Sequence, residues 1–295
     1  MAEINSNKQK NKPLRVVSIE GCPEIGRGAH GIVYRLAPDM LVKVYNPGIP
    51  IESIRKEREL ARWAFVKGVP TAIPFDIVKV GEQYGTVFEL LDAISSSDYI
   101  AESEDNLEDF ISRSVELMKE VHSVEAEPGE LPDMKQKTIG WLEKVRGLLP
   151  EEKFKKLQQI VNDVPDRHTI LHADFHLRNI MIAKDGLMLI DMDTLCTGDP
   201  IFELSTVYVS YRQFPSIDPM AAAMLGIDVK TANHICDRTM ELYLGESGTQ
   251  RMEETIKKAR ILGCVRIIDY MDRHREHPAT EMCINRCLHD LIDDI

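Results

Sequence analysis

The chain has 295 residues, 43% hydrophobic and 28% charged, with a formal charge of −12. These are the proportions of a soluble globular protein long enough for one large core or two lobes. The sequence lacks the basic patch of a nucleic-acid surface, an apolar run of membrane-spanning length, and the apolar core of a secretory signal. The six cysteines are scattered, and Cys283 and Cys287 alone make no zinc site. Buried or idle thiols in a reducing cytosol are the expectation, and hence a cytoplasmic location with no nucleic-acid or membrane partner. Composition leaves the oligomeric state open.

Residues 1–13 read as a flexible terminus and 14–91 as a strand-rich lobe. "LRVVSIE" (14–20) is a short strand, and "GIVYRL" (31–36) with "MLVKVY" (40–45) forms a hairpin turning at "APD". The stretch 51–68 is helical. Ile54, Glu57, Ala61 and Ala64 share one face, and Gly68 stops it. "FDIVKV" (75–80) and "YGTVFELL" (84–91) make a second hairpin. From 92 to 295 the character is helical: 106–124, then 136–149, then 150–164 with Pro150 in its first turn. Short strands follow around 169–183 and 187–192, and helices again from 201, with His274 and His277 in a C-terminal one. This is an α+β plan, a strand-rich lobe and a mainly helical lobe with a cleft between them and a hinge near Glu89–Ala93.

Four groups of residues carry chemistry. "GRGAHGIVY" (26–34) fits G-x-G-x-x-G-x-V through Gly26, Gly28, Gly31 and Val33. Such glycines let backbone N–H groups approach phosphates, and the β-branched residues that follow put the turn between strands rather than before a helix. Lys43 sits among apolar residues on the next strand and needs a partner. Glu57 on the inward helix face is the natural one, and Glu59 the alternative if the register slips. "HADFHLRN" fits H-x-D-x-x-x-x-N with His172, Asp174 and Asn179, the spacing that places a base beside a metal-binding amide. In "LIDMDTLCTGDP", Asp191 ends an apolar strand and Asp193 follows at the same parity, both candidates for Mg²⁺. A rival reading takes His172, Asp174 and His176 as metal ligands alternating on one strand face, in a metallohydrolase.

These motifs in this order resemble the aminoglycoside phosphotransferase-like branch of the protein-kinase-like superfamily. "GVPTAIPFDIV" and "LIDMDTLCTGDPIFEL" strengthen the resemblance, which spans residues 14–212 by motif. It implies a bilobal protein-kinase-like fold and transfer of the γ-phosphate of ATP, with Mg²⁺, to a hydroxyl of a small-molecule acceptor such as an aminoglycoside or another amine or sugar. It further implies Asp174 as catalytic base, Asn179 and Asp191 on the metal, Lys43 on the phosphates paired with Glu57, and Glu89, Leu90 and Leu91 at the adenine. Ala173 stands where many relatives have Gly, and Glu203 where many have Asp. Asp191-Met192-Asp193 replaces Asp-Phe-Gly, and no Ala-Pro-Glu segment follows, which disfavours a protein kinase. A nucleotide-binding pseudokinase acting through partners is the non-enzymatic alternative.

Overall fold

Alternate valines build the first core. Val42 and Val44 lie on one face of a strand, and Val78, Val80 and Val87 from two neighbours meet them. In the computed structural model, which describes residues 13–28, 30–245 and 247–295, these strands belong to a six-stranded sheet. All but the last residue of the 1–13 terminus lies outside the described residues. The strands are β1 (Arg15–Val16), β2 (Glu24–Gly28), β3 (Gly31–Ala37), β4 (Met40–Tyr45), β5 (Pro74–Val80) and β6 (Gln83–Glu89). Their order is β1-β5-β6-β4-β3-β2; only the β1–β5 pairing is parallel. Both expected hairpins are present. The strand expected over 14–20 is cut to two residues, because the chain turns at Gly21, whose φ is +76°.

The helix α1 (Ile51–Val66) begins after Pro50 and ends before Gly68, whose φ of +86° carries the chain away. Its buried face is Ile54, Glu57, Leu60, Ala61 and Ala64, a 3.6-residue stripe.

The described residues fall into two compact units. The first runs to Asp92 and takes back Leu189–Asp193; the second holds Ala93–Met188 and Thr194–Ile295. The second opens with β7 (Ala93–Ser95) and α2 (Ser96–Ala101), followed by α3 (Glu104–His122), α4 (Met134–Val145) and α5 (Glu151–Asn162). β7 and α2 were not expected. They are too short for a period to show, yet Ser95 caps α2 by accepting the Asp98 N–H. Pro150 is the cap residue before α5 rather than part of its first turn.

Next come β8 (Ile170–Leu171), β9 (Ile180–Ala183), β10 (Gly186–Leu189) and β11 (Cys196–Thr197). β9 lies between β10 and β7, and β8 pairs with β11. The rest is helical: α6 (Ile201–Tyr208), a π-helical turn Val209–Gln213, α7 (Phe214–Ile217), α8 (Met220–Met224), α9 (Val229–Leu244), α10 (Gln250–Arg273) and α11 (Thr280–Asp294). His274 and His277 lie in the α10–α11 connection, not in a helix, since Pro278 disfavours helical geometry in the residue before it. The core of this unit packs α10 and α11 with α4, α5 and α6 through residues such as Leu142, Phe154, Phe202, Val265 and Leu291. Cys196, Cys236, Cys264, Cys283 and Cys287 are buried free thiols, and Cys22 is half-buried. Among the described residues no helix is long and apolar enough to cross a membrane.

Candidate active site

In the first unit, β3 and β4 pair so that Val33 faces Lys43 across the ladder. The Lys43 side chain, 15% exposed, reaches Glu57 Oε1 and Asp191 Oδ1, each at 2.8 Å. Burial works against the ammonium, but the carboxylates of Asp191 and Glu57 outweigh it and drive its pKa up. Glu59 is exposed, so the helix register selects Glu57. The Tyr45 ring lies 5.4 Å from Lys43 Nζ, and its hydroxyl shares a hydrogen bond with Thr86.

The glycine motif spans the β2–β3 turn. Gly26 pairs with Val33 and Gly28 with Gly31. The glycines differ in what a side chain would meet. A Cβ on Gly31 would stand 2.1 Å from the Val44 carbonyl oxygen, whereas one on Gly28 would meet nothing within 4 Å. Gly31 is therefore required by the sheet itself, and Gly28 leaves open space over the turn.

Asp191 departs from its expected setting. The strand ends at Leu189, and Asp191 has φ +62°, a left-handed conformation that Asp tolerates better than most residues. Met192–Thr194 then form a 3₁₀ turn, so strand parity does not govern Asp193. Asp193 lines a hollow of about 220 Å³ with His30, Tyr45, Ile54 and Glu57, its Oδ2 lying 3.8 Å from His30 Nε2.

Of the residues expected at the adenine, Glu89 ends β6 and its carboxylate accepts the Ile73 N–H at 3.2 Å. The Leu90 N–H donates to the Asp39 carbonyl at 2.9 Å, and Leu91 follows outside the strand.

The second unit holds the other motif. Residues 172–176 are a loop between β8 and the 3₁₀ turn Leu177–Asn179, not a strand, so His172, Asp174 and His176 do not alternate on one face. His172 is fully buried, and its Nδ1 accepts the Asp174 N–H at 3.2 Å. Among the described residues no group of three His, Cys, Asp or Glu side chains converges to hold a metal. The metallohydrolase reading loses its geometric basis.

Asn179 Nδ2 donates to the Asp174 carbonyl at 2.9 Å and to Asp174 Oδ2 at 3.0 Å. His176 Nε2 lies 3.3 Å from Oδ2, and Arg266 Nη2 of α10 lies 3.8 Å from Oδ1. Burial alone would push the Asp174 pKa up; the His176 ring and the Arg266 guanidinium prevail and hold it well below the ordinary carboxylate range.

The loop is braced from beneath. Glu203 of α6, fully buried, accepts the N–H of His172 at 2.7 Å and of Ala173 at 2.9 Å. Ala173 has φ +61°, so this carboxylate secures a backbone that a side chain disfavours. Burial acts to raise the Glu203 pKa, but His122, 3.7 Å away, and the backbone donors bring it below the usual value. Thr194 Oγ1 donates to the His172 carbonyl, and the Leu177 N–H donates to the buried Tyr211 hydroxyl. Sequence reasoning missed Arg266, His122 and Tyr211. Each lies on a helix far along the chain with no local motif to mark it.

A family model of the phosphotransferase enzyme family matches residues 21–231. No curated protein matches the chain. Among solved structures, the gentamicin complex of APH(2")-IIa is 18% identical, covering 99% of this chain and 96% of that one with a TM-score of 0.56. ADP-bound aminoglycoside phosphotransferase APH(2'')-Ib is also 18% identical, covering 98% and 96% with a TM-score of 0.57. A choline/ethanolamine kinase family protein from Mesorhizobium loti is 14% identical, covering 92% and 87% with a TM-score of 0.59. These likenesses show the fold, the α+β protein-kinase-like one. The family match takes in Gly26, Lys43, Asp174, Asn179 and Asp191 together, and the chain belongs to the phosphotransferase enzyme family.

Proposed function

We propose that the protein transfers the γ-phosphoryl group of ATP, with Mg²⁺, to a hydroxyl of a small molecule. The observation that carries this reading is the pairing of half-buried Lys43 with both Glu57 and Asp191. A lysine held between two carboxylates has a fixed direction, which suits it to the phosphates of a bound nucleotide. Related structures are complexes with ADP, ATP and GDP, and this supports a nucleoside phosphate here.

The donors present fit Mg²⁺. Asn179 spends its amide N–H groups on Asp174, which leaves its amide oxygen, and Asp191 spends Oδ1 on Lys43, which leaves Oδ2. Both are hard oxygen ligands of the kind Mg²⁺ takes, and Asp193 is a further candidate. The ion would neutralise charge on the phosphates. Gly26, Gly28, Gly31 and Val33 would form the phosphate-side turn. The base would meet Glu89–Leu91 through atoms other than the Leu90 N–H, which Asp39 already holds.

Asp174 receives the acceptor hydroxyl. It orients the hydroxyl by a hydrogen bond and takes the proton late, as the oxygen bonds to phosphorus and loses basicity. Asn179 and His176 fix the carboxylate in place for that step.

Relatives with this fold are complexes with gentamicin, streptomycin and kanamycin, and one is described as a choline/ethanolamine kinase family protein, so amines and sugars are the first acceptors to test. ATP consumption against a panel of amines, sugars and antibiotics, beside a thermal shift with ATP and Mg²⁺, tests the proposal. A thermal shift with no turnover on any acceptor would favour the pseudokinase. No shift and no turnover would overturn nucleotide binding altogether.

A further inference from the structure

We infer that the acceptor presents an anionic group, a carboxylate or phosphate, to Arg266 while its hydroxyl lies at Asp174. This rests on the phosphotransferase reading and narrows its substrate class. Arg266 lies beyond residues 21–231, the part of the chain that the family model matches. It projects from α10, the long helix that packs on α4 and α6, so its stem sits on a rigid element.

The Arg266 side chain is 24% exposed, and the acid paired with it, Asp174 Oδ1, stands at 3.8 Å, beyond hydrogen-bond distance. Among the described residues no hydrogen bond reaches it. A mostly buried Arg with unspent donors is poised for a planar anion, which it binds through paired, charge-assisted hydrogen bonds. His176 stands on the other side of the same carboxylate. Arg266 is thus the permanently charged group beside Asp174, placed to meet an anionic group of the acceptor.

The acid-rich run 98–109 offers no counterweight. Asp98 is spent on the Ser95 cap, Glu102 on Asn106, and Asp109 on Tyr99 and Arg113. Glu108 bonds His234 and lies 3.6 Å from Arg238. Glu104 and Asp105 stand in the first turn of α3, where a helix favours negative charge. These carboxylates all have local roles in the fold.

The test compares acceptors with and without an anionic group: glycerol with glycerate, and glucose with glucose 6-phosphate, beside choline and kanamycin. The charged member of a pair is expected to be the better substrate. Arg266→Gln should raise its KM roughly 10-fold or more, with Arg266→Lys recovering part of the loss. An equal fall in kcat for charged and neutral acceptors, with no rise in KM for the charged one, would confine Arg266 to Asp174 or the transferred group and overturn the inference. So would turnover of choline or kanamycin that Arg266→Gln leaves unchanged.

If no acceptor turns over, binding decides. Inorganic phosphate titrated into the protein loaded with ADP and Mg²⁺ should raise its thermal midpoint, in wild type and not in Arg266→Gln. Equal shifts in both, or none in wild type, sink the inference. Failure of ADP and Mg²⁺ to shift the midpoint instead sinks the phosphotransferase reading, while the Arg266 dependence of phosphate binding is still read without nucleotide.

Discussion

The Lys43 cluster and the Asp174 loop hold their charges by opposite means. Lys43 and Glu57 stand on regular elements, a central strand and a four-turn helix, and each direction is set by the period of its own element. Asp174 stands on an irregular loop held by side chains from α6, α10 and the π-helical turn. A site on regular elements inherits its geometry from local sequence. A site on a loop must import it, and here the price is one left-handed alanine and one fully buried carboxylate.

The contrast can be broken hardest at the glycine turn. Gly31→Ala places a Cβ 2.1 Å from a backbone oxygen that cannot move without opening the β3–β4 ladder. It should destabilise the protein by ~3 kcal/mol or more in chemical denaturation. Gly28→Ala, which meets nothing, should change stability by no more than ~0.5 kcal/mol while weakening ATP binding. Equal stability losses would mean that both glycines serve the sheet.

Asp174→Asn removes the group that the loop exists to hold. Turnover should fall about 10²-fold or more. The thermal shift with ATP and Mg²⁺ should persist, since Lys43, Asp191 and the glycine turn remain. Near-normal turnover on the true acceptor would remove Asp174 from the role of base.

A smaller effect is expected beneath the loop. Glu203→Gln keeps one acceptor oxygen but turns an NH₂ group toward a backbone N–H, and should cost roughly 1–3 kcal/mol at neutral pH. The folded pKa of Glu203 is lowered, so in the acid range the unfolded chain binds the proton more tightly. The stability it supplies is complete above the ordinary carboxylate pKa and is lost as pH falls through the lower folded value. Asp174 adds a slope of the same sign in both proteins. The gap between wild type and Glu203→Gln should therefore narrow as pH drops. A constant gap down to strongly acid pH would mean that the Glu203 charge is not what the loop uses.

How much could be read beforehand follows the same division. The α1 stripe, both hairpins and the helices α3 to α5 follow from periodicity, because each buries one face. The His172–Asn179 and Asp191 segments stand out by motif, yet their conformations do not. Nothing local marks Asp191 as left-handed, and the strand written through it ends two residues earlier. β7 and α2 are too short for a period to show. Arg266, His122 and Tyr211 join the loop only through tertiary packing, where sequence spacing carries no signal.

The smallest expected effect tests the side of the comparison that periodicity predicts. Glu57 and Glu59 are two residues apart, about 200° around α1. Glu57 is 8% exposed and bonded to Lys43, and Glu59 faces solvent. Glu57→Gln leaves Lys43 its bond to Asp191 but removes one of the two charges that fix its direction. ATP affinity should therefore fall partly, by roughly 10-fold for a charge-assisted bond of ~1.5 kcal/mol. Glu59→Gln should change affinity and stability by no more than ~0.5 kcal/mol, as at an exposed carboxylate. Titrating ATP and Mg²⁺ into both variants in parallel gives the ratio directly. Equal losses would mean that the helix acts on the nucleotide through its overall charge, and then neither the α1 period nor the 2.8 Å contact would explain how Lys43 is held.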